Sequence, residues 1–546
     1  MTVVAPDPAT RPEPDQDRRL RRDLGFWSLT GVAFGGIIGS GWLFGAFYAA
    51  ALAGPAAVLS WIIAGVAVML IAVVLIELGA GTPQAGGMVR WPLLANGPLA
   101  GNLIGWAMLL AVASTMAAQT SAIVQYADRY LPGLYVDDAM SAEGKVVGAV
   151  LLAALVLLNS FGVKLFARLN LLVTVIKVAV PLITVVTLLL SSFHPGNVSA
   201  GGGLAPQGWS AVLTAIAGGG IIYALNGFAA PIELSAEARN PRRDIPRAVL
   251  TAIGLSVVLN VVLQVTFVLA VPSERLGPGG WAGLSFASPY GELALLLNLG
   301  WLATVIYADA VLSPSGSTYV IVAAGGRETY AVAKNGGLPK LFTHVDEGAG
   351  VPRNALALNF VLSMVCLLPS SRWQQIIAVV GVLALLTYSL CTVAAATFRT
   401  AAPERLAGWV RGLGWILPLG FVVAAELVYW SGWHTLRVAL PVLLGTVLLF
   451  AALRRGQLDV VAEVRRGTWL LVYLVWLLVL SGLGTFGGMG AIPAPWDTLA
   501  VALCGLGTYR WGVRSGVAYL TDQRAPDAVG SEDPGRPPEA GAGTPR

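Results

Sequence analysis

Charge is scarce in this chain. Only 12% of its 546 residues are Asp, Glu, Lys or Arg, about half the share of an ordinary soluble domain. Hydrophobic residues make up 56%, and the mean hydropathy is +0.73. Histidine is rarer still. His194, His344 and His434 stand far apart and no metal-ligand spacing occurs, so neither catalysis, a metal nor a cofactor is expected. Cys366, Cys391 and Cys504 all sit inside apolar runs, which excludes a disulfide framework and a zinc site. The Gly-x-x-x-x-Gly-Lys-Ser/Thr loop of nucleotide-driven pumps is absent. The net charge of +5 comes from short loops between apolar runs, so it reads as a topology signal and no nucleic-acid partner is expected.

What the chain does have is apolar runs long enough to cross a ~30 Å hydrocarbon layer at 1.5 Å per residue. They predict an all-α integral membrane protein with about fourteen crossings, near 26–48, 56–79, 99–127, 146–163, 169–191, 209–235, 247–271, 292–322, 355–369, 375–398, 412–430, 436–453, 469–489 and 496–512. With the N-terminus inside, the outer loops carry only Arg129, Lys145, Arg275, Arg372 and Arg437. Lys177 falls within a span, which leaves 28 of the 34 Lys and Arg on the cytoplasmic side. This asymmetry predicts both termini in the cytoplasm. Residues 1–23 read as a polar cytoplasmic tail and 516–546, rich in Pro, Gly and acids, as a disordered one. Trp27, Trp209, Trp301, Trp430 and Trp511 fall at span ends, as interfacial anchors do.

Two spans are interrupted by glycine: Gly35-Gly36-Ile37-Ile38-Gly39-Ser40-Gly41 in the first, and Gly218-Gly219-Gly220 with Asn226-Gly227-Phe228 and Pro231 in the sixth. Small residues also serve simple close packing of helices. Paired interruptions at corresponding places in two halves instead point to backbone opened to bind something, with free N–H groups at a half-helix start suited to a carboxylate. That is a transporter's pattern.

These residues resemble the amino acid–polyamine–organocation permeases. Gly36-Ile37-Ile38-Gly39-Ser40-Gly41 is similar to that family's first-helix signature, and Pro83-Gln84-Ala85-Gly86-Gly87 to its loop after helix two. The stretch from Asn226 through Asn240-Pro241-Arg242-Arg243-Asp244 to Ala248 resembles helix six and its following loop, and Asn335-Gly336-Gly337-Leu338-Pro339-Lys340 the loop after helix eight. The resemblance implies a LeuT-type fold of two inverted five-helix repeats, about 24–192 and 209–400, within a ten-helix core at 24–400. Helices 1 and 6 would be discontinuous, and four further helices would occupy 401–515.

Carried over by position, Ser40 and Gly41 would receive the substrate carboxylate, and Ile37 with the carbonyls around Tyr223, Ala224 and Asn226 its ammonium group; Gly39 and Gly227 complete the expected substrate-binding set. Tyr223 falls at an aromatic gate. The acid that relatives often carry after the Gly-Phe pair is Ala229 here. Glu233, one turn on, would substitute for it or simply face the cytoplasmic vestibule.

Lys177 inside the fifth span costs on the order of 3 kcal/mol without partners. It either snorkels to the surface or, by resemblance to proton-coupled relatives, stands in for a sodium ion. In that role it would touch carbonyls near Gly35 and the hydroxyls of Ser313, Ser315 or Ser317, and release and regain a proton. Asp309 shares a helix face with Ser313 and would pair with Lys177, line the pathway or satisfy a polar contact. Glu426 is expected to reach interfacial water. The implied function is uptake of an amino acid across the plasma membrane by proton symport and alternating access. An exchanger without proton coupling and an amino acid sensor are the alternatives, and the substrate's side chain, acidic or neutral, stays open.

Overall fold

The computed structural model describes residues 24–83, 87–136, 139–160, 164–346, 351–369, 372–453 and 460–529. The expected tail 1–23, Gln84-Ala85-Gly86 and the end of the chain from 530 lie outside them. Apart from a two-residue hairpin, Tyr135–Val136 with Ala139–Met140, the described chain is helical.

The first apolar run makes two helices, α1 (Phe26–Ile37) and α2 (Gly41–Ala53), separated by Ile38, Gly39 and Ser40. There follow α3 (Ala57–Gly81), α4 (Gly87–Asn96), α5 (Pro98–Ala127), α6 (Ala142–Ser160) and α7 (Lys164–Ser191). The sixth run is again in pieces: α8 (Ser210–Gly218), α9 (Ile221–Leu225), a 3-10 turn at Asn226–Ala229, and α10 (Ala230–Glu233). Next come α11 (Pro241–Ala270), α12 (Pro289–Leu296), α13 (Gly300–Lys334), α14 (Arg353–Leu367) and α15 (Trp373–Ala401). The chain closes with α16 (Leu413–Trp430), α17 (Trp433–Leu453), α18 (Val460–Arg466), α19 (Thr468–Leu483) and α20 (Trp496–Val529).

Among the described residues, nine helical segments are long and apolar enough to cross a membrane, eleven if the bent pairs α8 with α9–α10 and α18 with α19 each count as one. The chain is thus a multi-pass, all-helical membrane protein. Its helices differ in burial. Within the most apolar stretch of each helix, 94% of α15 and 78% of α5 are buried inside the protein, against 22% of α6 and 33% of α17. The first two are therefore central, while Val146, Val150 and Leu157 on α6 and Val438 and Leu448 on α17 turn outward, as lipid-facing side chains do.

Polar ties hold the central layer where apolar attraction is weak. Trp61 Nε1 donates to Gln264 Oε1 at 3.0 Å, and Gln264 Nε2 donates to the Ala46 carbonyl at 3.1 Å, joining α3, α11 and α2.

Three sequence expectations shift. Helix α7 begins at Lys164 rather than near 169, and α13 runs to Lys334 rather than 322, because polar residues in their end turns hide helix that hydropathy alone does not count. Residues 516–529, expected in a disordered tail, continue α20. That end is tied down by the ion pair of Arg466 with Asp522 at 3.4 Å, and the Arg466 guanidinium lies over the Tyr519 ring. Glu426 does not reach water: α16 packs against α3, α15 and α20, and both carboxyl oxygens are buried without a hydrogen-bond partner.

Candidate functional site: a cavity between two broken helices

The break in α1–α2 is forced by crowding as much as by flexibility. A Cβ on Gly227 would lie 2.2 Å from the Gly36 carbonyl carbon and 2.3 Å from the Ile37 nitrogen, so the backbones of the two interrupted spans touch directly. Gly220 starts α9 with φ +82, the left-handed region that only glycine enters freely. There the chain bends by 55° between α8 and α9–α10.

Breaking a helix frees carbonyls, and here they are used at once. Lys177 Nζ, on α7 and 2% exposed, donates to the Gly35 carbonyl at 3.0 Å and to Ser317 Oγ at 2.7 Å. Ser317 in turn lies 3.2 Å from both the Gly35 and Ile38 carbonyls. The lysine therefore does not snorkel; it bridges α7, the open end of α1 and α13. Ser313 is elsewhere, donating to Asp309 Oδ1 at 2.6 Å. Ser315 makes no bond to the lysine, being two residues, about 200°, around the helix from Ser317. Asp309 is buried behind the cavity wall and not part of its lining.

The cavity has a volume of about 150 Å³, roughly that of five water molecules. Of the expected contacts, Ile37, Gly39, Tyr223, Asn226, Gly227 and Glu233 line it. Ser40, Gly41 and Ala224 do not. Ser40 N–H is taken by Gln119 Oε1 at 2.9 Å, its hydroxyl accepts Trp373 Nε1–H at 2.9 Å and meets Tyr223 OH at 3.2 Å, and Gly41 is pressed onto Ala224. The N–H and hydroxyl of Ser40, an expected carboxylate donor, are thus already engaged.

Trp373 completes a lid over Ser40. Its ring lies 4.7 Å from Phe44, and 5.7 Å from both Tyr48 and Tyr223. The sequence reading missed Trp373 and Gln119: one falls just before an apolar run, the other is neutral within one. It also missed Glu328, which lines the cavity, because the eighth span was ended before it. Tyr388 on α15, another unread wall residue, donates its hydroxyl to Asn226 Oδ1.

With this arrangement in hand, similarity to known proteins decides the family. Residues 24–480 match the family model described as amino acid permease. The chain belongs to the amino acid permeases of the amino acid–polyamine–organocation superfamily. It is 36% identical to the glutamate/serine transporter AimA of Bacillus subtilis, over 93% of this chain and 96% of that protein. It is 34% identical to the aspartate-proton symporter of the same organism, over 91% and 97%. The human cationic amino acid transporter 4 is more distant, 26% identical over 71% of this chain and 62% of that one. The relatives named here are transporters.

Proposed function

We propose that this permease imports an amino acid across the plasma membrane by proton symport and alternating access, in a LeuT-type fold of fourteen crossings with both termini in the cytoplasm. In this reading α1–α2 and α8–α10 are the two discontinuous helices of a ten-helix core at 24–400, repeated about 24–192 and 209–400. Helices α16 to α20 form the four added crossings.

The observation that carries the coupling is Lys177. Its ammonium sits on the carbonyl that the broken first helix leaves free, and on Ser317 of α13. A charge there holds α7, α1 and α13 together; loss of its proton removes the charge and loosens the break. Substrate would lie between Ile37, Gly39, Tyr223, Asn226 and Gly227, its ammonium group on the broken-helix carbonyls. Its carboxylate would reach Ser40 and Gly41 once Gln119 and the Trp373 lid release Ser40, with Tyr223 and Glu233 moving as the two sides exchange access.

Among the described residues, no lysine or arginine lines the cavity; its polar lining is made of neutral groups such as Thr115, Gln119 and Asn226 and the acids Glu233 and Glu328. The relatives make serine, aspartate and glutamate the first to try.

Uptake of these labelled amino acids into proteoliposomes, with and without an inward proton gradient, tests the reading. Gradient-driven accumulation is expected in the native protein and lost in Lys177→Ala. Exchange that ignores the gradient and survives the substitution would overturn proton coupling in favour of an exchanger. Binding without flux would overturn transport itself and leave a sensor.

A further inference from the structure

The cavity wall holds a second group able to carry a proton. Glu233, at the end of α10, and Glu328, near the end of α13, both line it, and the two acids lie close enough to act electrostatically on each other. Two neighbouring carboxylates facing one cavity repel each other when both are charged, so a proton on one of them relieves the pair. Glu328 is 7% exposed, and its Oε2 is buried with no hydrogen-bond partner at all. An acceptor left bare in the wall of a cavity is an unfilled binding capacity, which the nearness of the two acids alone does not explain.

Among the described residues, no ion pair joins a lysine or arginine to Glu233 or Glu328. Arg327, beside Glu328, turns outward to Glu237 at 3.4 Å. Arg242, Arg243 and Arg247 at the start of α11 are exposed, and Arg90 on α4 has contacts of its own. Glu77 on α3 is bound to backbone N–H groups at Gly408 and Val410. The described part of α1 carries no titratable side chain. On α15 the nearby titratable groups are Tyr388 and Cys391, the tyrosine with its hydroxyl on Asn226.

We propose that Glu233 and Glu328 form a proton-binding carboxyl pair facing the substrate cavity, separate from Lys177. The proposal deepens the symport reading and rests on it for its role. With one proton bound, the pair is a carboxylic acid beside a carboxylate. When that proton passes to water in the cavity, two carboxylates remain side by side and repel, which drives α10 from α13. Because α10 is the last piece of the broken sixth run, the release of a proton becomes a displacement of the helix that lines the substrate site. The same charge makes the emptied cavity hostile to a substrate's carboxylate and receptive to its ammonium group.

Infrared difference spectroscopy of the full-length protein in lipid nanodiscs, stepped from acid to alkaline buffer, reads the pair directly. The native protein is expected to lose a carboxylic-acid C=O absorption on the step. Glu328→Gln and Glu233→Gln each supply an amide N–H to the remaining carboxylate, so both variants are expected to fold and to lack that absorption, whereas Lys177→Ala keeps it. An absorption that persists in both glutamine variants, or is missing from the native protein, overturns the proposal. Proton-driven uptake in the same preparations separates the two ideas. Uptake present with the absorption missing sinks the carboxyl pair and leaves symport standing; the absorption present and assigned with no proton-driven uptake sinks symport and leaves the pair.

Discussion

At the scale of single residues, one donor and one close backbone approach hold the region around the first break. Trp373 Nε1 holds Ser40 Oγ at 2.9 Å within an aromatic cluster. Trp373→Phe keeps the stacking and deletes the hydrogen bond, a loss of about 0.5–1.5 kcal/mol. If lifting this lid limits turnover, substrate counterflow should speed up roughly 2- to 10-fold; an unchanged or slower rate would remove Trp373 from the gate. Gly227 faces the Gly36 backbone with no space for a Cβ. Backbone cannot yield as a side chain does, so Gly227→Ala should reach or pass the upper end of the ~1–3 kcal/mol typical of overpacking. A melting curve as high as the native protein's, followed by size exclusion, would show that the two spans do not need this contact. Part of this was legible in the sequence. A lysine inside an apolar run must find acceptors or reach the surface, and it is the family resemblance that sets Lys177 against the carbonyls near Gly35. Which of three serines it meets depends on helix rotation, and that Ser40 would be occupied by Gln119 and Trp373 depends on packing between residues far apart in the chain. Neither leaves a local trace.

At the scale of elements, the least legible feature is the join between α15 and α16. The Glu77 carboxylate, buried at the end of α3, accepts N–H groups from Gly408 at 2.9 Å and from Val410, while its own carbonyl accepts Ala407 N–H at 3.2 Å. Thr82 Oγ1 adds a bond to the Arg405 carbonyl at 2.6 Å. An acid near a predicted span end reads as a surface group, yet it organises a loop more than three hundred residues away. Hydrogen bonds to a charged acceptor are worth about 1.5–3 kcal/mol. Glu77→Gln exchanges one acceptor oxygen for an NH2 facing a backbone N–H. It should lower the thermal midpoint and expose the 403–412 segment to protease first; cleavage elsewhere, or no change, would argue against the clamp. The element boundaries were otherwise readable where runs are apolar throughout, as in α5, and misread where polar turns extend them, as in α13. The acid that matters most in that extension, Glu328, was lost with it.

At the scale of the whole molecule, the number and placement of apolar runs follow from lipid, because a segment that crosses hydrocarbon has to satisfy its backbone internally and can do so only as helix. The asymmetry of basic residues predicts an orientation, with both termini inside. His344, exposed between α13 and α14, follows Arg327, Lys334 and Lys340, whereas Ser199, exposed between α7 and α8, has no Lys or Arg near it in the chain. With Cys366, Cys391 and Cys504 replaced by alanine, a membrane-impermeant maleimide should label Ser199→Cys in intact cells, and His344→Cys only after permeabilisation. The inverted pattern would reverse the orientation and with it the direction in which the cavity discharges. Labelling of both in intact cells would mean that an odd number of crossings does not separate these loops, and the fourteen-helix arrangement would fall with the orientation. The outcome bears on coupling too, since the Glu233 and Glu328 end of the cavity lies beside the backbone pairing of Leu24 with Glu237 and Arg239. If His344 is cytoplasmic, so is that end, and a proton leaving it is delivered to the cell interior, the direction an inward symporter requires.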